Sequence, residues 1–281
     1  MSDIDWDALR NRKGASRMAD IPPVVLRALN AGRLETVTLT EWLAIDPVAL
    51  MHAAVGDVDA PALADPLIEA ARSLADAGIT QRMRGLGAAW HEALATVPQT
   101  RARERIRKRL ATHTSDMIRA WAAYSHTADP SLDLEERLTL ARPFAADGAM
   151  SVRECAWDSF RPYLAPELDR ALTLLEAWVH DADPNIRRCA VECTRPRGVW
   201  TKHIDALKDD PELARALLDP LRADESRYVQ NAVANWLNDA SKSQPDWTRS
   251  VCRSWTESSD SSATGYIVRR ALRTLRKQAA E

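Results

Sequence analysis

The sequence predicts an all-α protein, a right-handed α-solenoid built from helical-pair repeats. Three observations predict it. Apolar residues recur at three- and four-residue spacing through most of the 281-residue chain, the period of helices that bury one face. Glycine is scarce, with 9 residues where ~7% is ordinary, which leaves few of the tight turns that a sandwich or barrel needs. One pattern also keeps returning: a β-branched residue, a basic or polar residue, then small apolar positions.

The copies are Ile118-Arg119-Ala120-Trp121-Ala122, Val152-Arg153-Glu154-Cys155-Ala156 and Ile186-Arg187-Arg188-Cys189-Ala190, with looser ones at Val229 and Val268. Their anchors are spaced by 34, 34, 43 and 39 residues, which fits helical-pair repeats of the HEAT type. One such pair cannot bury its apolar face alone, whereas stacked pairs share a continuous core. Residues 1–60 read as an N-terminal helical cap centred on Ile21–Val55, and 61–281 as the repeat solenoid. No clean linker divides them, so one continuous domain is expected. The β-flavoured stretch Thr36–Thr40 runs into Glu41-Trp42-Leu43-Ala44 and reads as a loop and helix start capped by Thr40. Acidic turns at Asp181–Asn185 and Asp224–Ser226 are expected to cap the helices that follow. Ser258–Thr264 reads as an inter-helix loop. Ten tryptophans stand against two phenylalanines; Trp121 and Trp236 fall inside repeat helices and are expected in the core.

Composition excludes several classes. Lys+Arg number 38 and Asp+Glu 40, a net charge of −2, so a nucleic-acid role would have to come from a local basic face. The four cysteines include no C-x-x-C pair and read as reduced thiols. Residues 1–20 are polar and carry acids, unlike a signal peptide, and no apolar run approaches the ~18 residues of a membrane span. A cytoplasmic protein is expected, nucleoid-associated if bacterial. Cys189, Cys193, His180 and His203 lack a second ligand pair at zinc spacing, so neither metal nor cofactor is expected. Glycine-rich phosphate loops and nucleophile motifs are missing from the sequence.

Basic residues concentrate in three places: Arg101–Arg109, the group Arg187, Arg188, Arg195 and Arg197, and the C-terminal Arg269, Arg270, Arg273, Arg276 and Lys277. Each alone reads as a solvated helix face. Stacking of repeats would align them on a concave wall able to follow a phosphate backbone.

Three strings then carry a resemblance: Glu192-Cys193-Thr194-Arg195-Pro196-Arg197, Val233-Ala234-Asn235-Trp236-Leu237-Asn238-Asp239 and Ile267-Val268-Arg269-Arg270-Ala271-Leu272-Arg273-Thr274-Leu275. Over about 145–277 the chain resembles the HEAT-like-repeat DNA alkylation repair glycosylases, the AlkC/AlkD group, and the AlkC branch most. The resemblance implies an α-solenoid that cradles duplex DNA and excises cationic N3- or N7-alkylated bases without a deep extrusion pocket. By motif, Glu192 and Asp239 match family acids that approach the sugar, Arg188 matches the arginine four residues ahead of the glutamate, and Trp200 the tryptophan after TRPR. A third family acid precedes a string that here reads Phe160-Arg161-Pro162-Tyr163. Trp157 stands at its position, and Asp158 is next to it. Asp158 lies six residues past its anchor, as Glu192 does, and is a candidate replacement.

The chemistry suits these residue types. Loss of a cationic base leaves an electron-poor sugar that carboxylates stabilise; indole faces and arginines hold the base and the flanking phosphates. The expected catalytic residues are Asp239, Glu192 and Asp158. The expected DNA-binding residues are Arg188, Arg195, Arg197, Trp157, Trp200, Asn238, Arg269 and Arg270, with Trp157 and Trp200 exposed in the groove. The expected partner is alkylated duplex DNA, bound by a monomer. A plainer account of the same residues stands beside this one: Arg188 and Glu192 as an i,i+4 ion pair, Asn238-Asp239 as a helix terminus, and the chain as a non-catalytic scaffold binding DNA structures or a protein partner.

Overall fold

The computed structural model describes residues 5–198 and 200–278. These form α-helices joined by short turns and 3-10 segments, with no strand among the described residues. The helical-pair architecture expected from the repeat spacing is what the chain adopts. Its contacts form two compact units: one holds the chain up to Leu132 together with Asp147–Ser159, the other holds Asp133–Ala146 and everything from Phe160.

In the first unit α1 (Pro23–Asn30), α2 (Leu39–Ala44) and α3 (Pro47–Asp57) form the N-terminal helices. Proline opens α1 and α3, where its missing N–H costs nothing. The cap of α2 is Thr38, whose hydroxyl accepts from the Glu41 amide at 3.2 Å, rather than Thr40; the helix begins two residues earlier than the apolar run implies. Glu41 itself is buried against the Arg12 guanidinium. Further on, α4 (Ile79–Ala95) packs on α5 (Asp116–Thr127). They cross closely because position 87 is glycine: a Cβ there would lie 2.2 Å from the Tyr124 Cβ and 3.2 Å from the Trp121 carbonyl oxygen. Trp90 and Trp121 fill this interface, fully buried.

In the second unit three repeat helices stack in order: α6 (Pro184–Cys193) on α7 (Arg227–Ala240), and α7 on α9 (Ser262–Ala271), with α8 (Pro245–Ser258) packed against both α7 and α9. Trp236 is fully buried as expected and donates its indole N–H to the Thr194 carbonyl at 3.1 Å. The Ser-rich stretch is shorter as a loop than its composition implies: α8 runs to Ser258 and α9 starts at Ser262, capped by the Ser261 hydroxyl.

The repeated β-branched/basic pair has a structural cause. The anchors Ile118, Val152, Ile186 and Val229 are buried; in the last copy the buried residue is Ile267, one position before Val268. The residue after the anchor reaches back to the turn that precedes its own helix. Arg119 donates to the His113 and Thr114 carbonyls, Arg153 to those of Asp147 and Gly148, Arg187 to those of Asp181 and Ala182, and Gln230 to that of Asp224. Arg119 and Arg187 also fork a carboxylate in the next acidic turn, Asp147 and Asp224. Those carboxylates fix their turns by accepting from Ala149 and Ser226 amides. Arg187, grouped by sequence with the phosphate-tracking cations, is therefore a link between repeats.

Candidate functional site

Glu192 and Asp239 sit on α6 and α7, neighbours in the stack. Asp183 caps α6 by accepting from the Asn185 amide at 2.8 Å, and Pro184 opens it. The helix stops at Cys193 because Pro196 disfavours helical geometry at Arg195. The chain turns, and the Arg195 side chain folds back between the two acids. Its Nη1 lies 3.2 Å from Glu192 Oε2, and its Nε and Nη2 lie 2.9 and 2.7 Å from Asp239 Oδ2. Burial pulls the Arg195 pKa down, but the two carboxylates raise it by more.

Two further cations flank the pair. Arg188, one turn before Glu192, places Nη2 2.8 Å from Glu192 Oε1. Its guanidinium lies 3.9 Å above the Tyr228 ring, and Nη1 donates to the Tyr228 carbonyl. Lys242 donates to Asp239 Oδ1 at 2.9 Å. Both carboxylates are 3% exposed, whereas the Lys242 side chain is 42% exposed. Three cations thus face two buried anions, so the cluster as a whole is positive.

The segment after α6 is held from below by Arg161, which lies in the string Phe160-Arg161-Pro162-Tyr163 and had no expected role of its own. Its buried guanidinium donates to the carbonyls of Cys193, Arg195 and Lys202. Both strands of the loop are fixed at their base, and the Ile204 amide closes it on the Pro196 carbonyl. The signal in the sequence was a cation inside the otherwise apolar stretch Phe160–Leu164. The loop carries Arg197, half-buried, and Trp200, 51% exposed as expected.

Asp158 lies in the first unit and is 2% exposed. Arg84 of α4 forks it, Nε to Oδ2 at 2.9 Å and Nη2 to Oδ1 at 2.7 Å, and the Tyr124 hydroxyl donates to Oδ2 at 2.6 Å. Gly87 sets this arrangement, since the close helix crossing it allows brings Tyr124 and Arg84 to the same carboxylate. The bond to Asp158 raises the Arg84 pKa, and burial pushes the Tyr124 phenol well up.

Two expected DNA contacts are corrected. Trp157 is 5% exposed, with its indole N–H donating to Glu154. Residues 155–161 are all buried, so the middle of the helix Met150–Leu164 offers no face to a groove. Asn238 is also buried: its amide donates to the Ala271 carbonyl and the Thr274 hydroxyl, both at 2.9 Å, tying α7 to the end of α9. Arg269 is exposed and Arg270 half-buried, both near Tyr266. Among the described residues no group of three or more His, Cys, Asp or Glu could hold a metal ion, and no helix is long and apolar enough to cross a membrane.

Residues 145–275 match the family model described as DNA alkylation repair enzyme. Over 87 residues the chain is 44% identical to the uncharacterized protein YhaZ of Bacillus subtilis, a stretch that is 31% of this chain and 24% of that one. The structure resembles the Pseudomonas fluorescens alkylpurine DNA glycosylase AlkC, solved bound to DNA containing an abasic site analog. The TM-score is 0.68 at 26% identity, over 82% of this chain and 63% of that one, so this chain spans less than two thirds of either relative's length. AlkD2 of Streptococcus mutans shares the fold, with a TM-score of 0.51 at 19% identity over 70% of this chain and 98% of that one. The repeat segment 145–275 thus resembles the DNA alkylation repair enzymes, and the chain shares the fold of AlkC and AlkD2.

Proposed function

We propose that the chain is a DNA glycosylase that removes cationic N3- or N7-alkylated purines from DNA. The observation that carries this is the joining of Glu192 and Asp239, from successive repeat helices, around Arg195. In the proposed reaction the N-glycosidic bond breaks and its electron pair leaves with the base, cancelling the positive charge the alkyl group created. The sugar left behind is oxocarbenium-like. Two preorganised carboxylates in a water-poor setting stabilise that charge, and one orients the water that adds to the sugar carbon and takes up the proton it releases. The base already carries a positive charge, so the leaving group needs little acid help.

Arg195 acts here as a positioning residue that holds the two acids at a fixed separation, rather than as the phosphate contact expected from sequence. Lys242 is the mobile member: with its long, partly exposed side chain it can withdraw from Asp239 toward a phosphate when DNA binds. Trp200, exposed on the loop that Arg161 fixes, is placed to pack against the sugar or base. The abasic site analog bound to the AlkC relative is the product side of the same chemistry.

One observation favours a second reading. Asp158, the candidate for the third acid, has both oxygens engaged by Arg84 and Tyr124. In that reading the chain binds DNA without excising a base. The test is base release: incubate methylated duplex DNA with the protein and assay free 3-methyladenine and 7-methylguanine. Release that falls in Asp239→Asn and Glu192→Gln while DNA affinity persists supports the glycosylase. Salt-sensitive binding with no release supports the binder.

A further inference from the structure

Tyr266 carries three arginines around its ring. The Arg227 guanidinium carbon lies 3.6 Å from the ring centroid, that of Arg269 5.5 Å and that of Arg270 5.6 Å. Arg227 comes from α7 and the other two from α9, the helix of Tyr266 itself. The ring is fixed in place, since its hydroxyl donates to Asn231 Oδ1 on α7 at 2.7 Å.

No carboxylate compensates the charge of the cluster. Arg187, Arg188 and Arg195 of the same unit each meet a carboxylate. Among the described residues, Arg227, Arg269 and Arg270 have no ion pair, and the Nε of Arg270 is buried without a hydrogen-bond partner. Three like charges around one ring repel each other. Arg227 is moreover the first residue of α7, where the helix dipole disfavours a cation. The ring attracts each guanidinium but leaves three positive charges, which an anion from outside would neutralise. The chemistry selects which kind: guanidinium forks steadied on an aromatic face match the oxygens of a phosphate. Two of the three arginines are exposed, which suits a polyanion laid across the surface rather than a small ion enclosed in a pocket.

We propose that Arg227, Arg269 and Arg270, held on Tyr266, form a phosphate-binding site for the DNA backbone, built from residues other than those around the carboxylate pair. The inference rests on the DNA-binding part of the proposed function and not on base release.

The test is the salt dependence of affinity for an unmodified short duplex, which separates it from catalysis. The double variant Arg227→Gln/Arg269→Gln should lower the slope of log affinity against log salt by about 1 for each phosphate it no longer neutralises. Arg253→Gln, an exposed arginine on α8, should leave it unchanged. Tyr266→Leu keeps every charge but removes the platform and should weaken binding, while Tyr266→Phe keeps the ring and should restore most of it. Inorganic phosphate titrated against the wild-type protein should bind only at millimolar concentration. Micromolar phosphate binding with an unchanged duplex slope in the double variant would overturn the proposal in favour of a free-anion site. An unchanged slope without phosphate binding would overturn it outright. A protein that releases no base but shows the altered slope would keep this site and remove the glycosylase.

Discussion

Arg187 on α6 forks Asp224 in the acidic turn before α7, with Nε 2.7 Å from Oδ2 and Nη2 3.1 Å from Oδ1. The same guanidinium holds the turn that starts its own helix. One side chain thereby sets the register of two successive repeat helices, the two that carry Glu192 and Asp239. Because both partners are largely buried, Arg187→Ala leaves an unpaired carboxylate and should destabilise the protein by about 3 kcal/mol. Chemical denaturation checks the loss. The salt slope of DNA affinity, measured where the variant is folded, should not change.

Gly87 makes the corresponding prediction for the first unit. A methyl group there meets the Tyr124 Cβ at 2.2 Å, so α4 and α5 must move apart. Gly87→Ala should cost about 1–3 kcal/mol by overpacking, read as a lower melting temperature. Gly56→Ala, where an added Cβ meets nothing within 4 Å, should show no such loss.

Much of the fold was legible because it rests on periodicity. The anchors and the helical-pair spacing follow from burial of one helix face, and that face is visible in sequence. The carboxylate pair was legible for a different reason: the strings ending in Arg197 and Asp239 are specific, and their order along the chain put Glu192 and Asp239 on helices that stack. What failed were residues whose burial or distant partners the local pattern does not show. Trp157 looked like a groove residue because its neighbour Asp158 shares a repeat position with Glu192, but its helix is buried on every side there. Asn238 looked like part of a site motif and is a tie to Ala271 and Thr274. Arg187 looked like a phosphate contact, and its acid lies 37 positions away. Pattern shows which face is buried, and it does not show which buried polar group meets which.

The two tryptophans flagged by sequence should therefore separate experimentally. Trp200→Ala should weaken DNA binding with little change in melting temperature, because the side chain is half exposed on a loop. Trp157→Ala removes a buried indole and should cost about 3–5 kcal/mol, with any binding defect following from unfolding. Equilibrium denaturation alongside fluorescence anisotropy distinguishes them.

Two histidines set a pH dependence. His113 Nδ1 accepts from the Ser115 amide at 3.0 Å and Nε2 lies 3.2 Å from Asp57, which fixes the neutral ring. Burial pulls its pKa below the ordinary 6.5 despite Asp57. Burial does the same to His126 despite the Ala122 carbonyl. As pH falls through 6.5 the unfolded chain takes up protons that the folded chain resists. Stability is therefore complete above that value and is lost as pH drops toward the folded pKa values. Thermal melts should show a falling melting temperature from about pH 7.5 to about pH 5.5, and His126→Gln should flatten that fall.

In the proposed reaction Glu192 and Asp239, joined by Arg195, stabilise a sugar cation as an alkylated base departs. The deciding measurement is single-turnover release of methylated purines from duplex DNA by the wild-type protein and by Asp239→Asn. The wild type should release base and the variant should lose about 100-fold or more, the scale of removing one preorganised electrostatic group, with DNA affinity retained. Wild-type protein that binds methylated DNA and releases no base, or an Asp239→Asn variant that releases it at the wild-type rate, would rule out this role for the carboxylate pair.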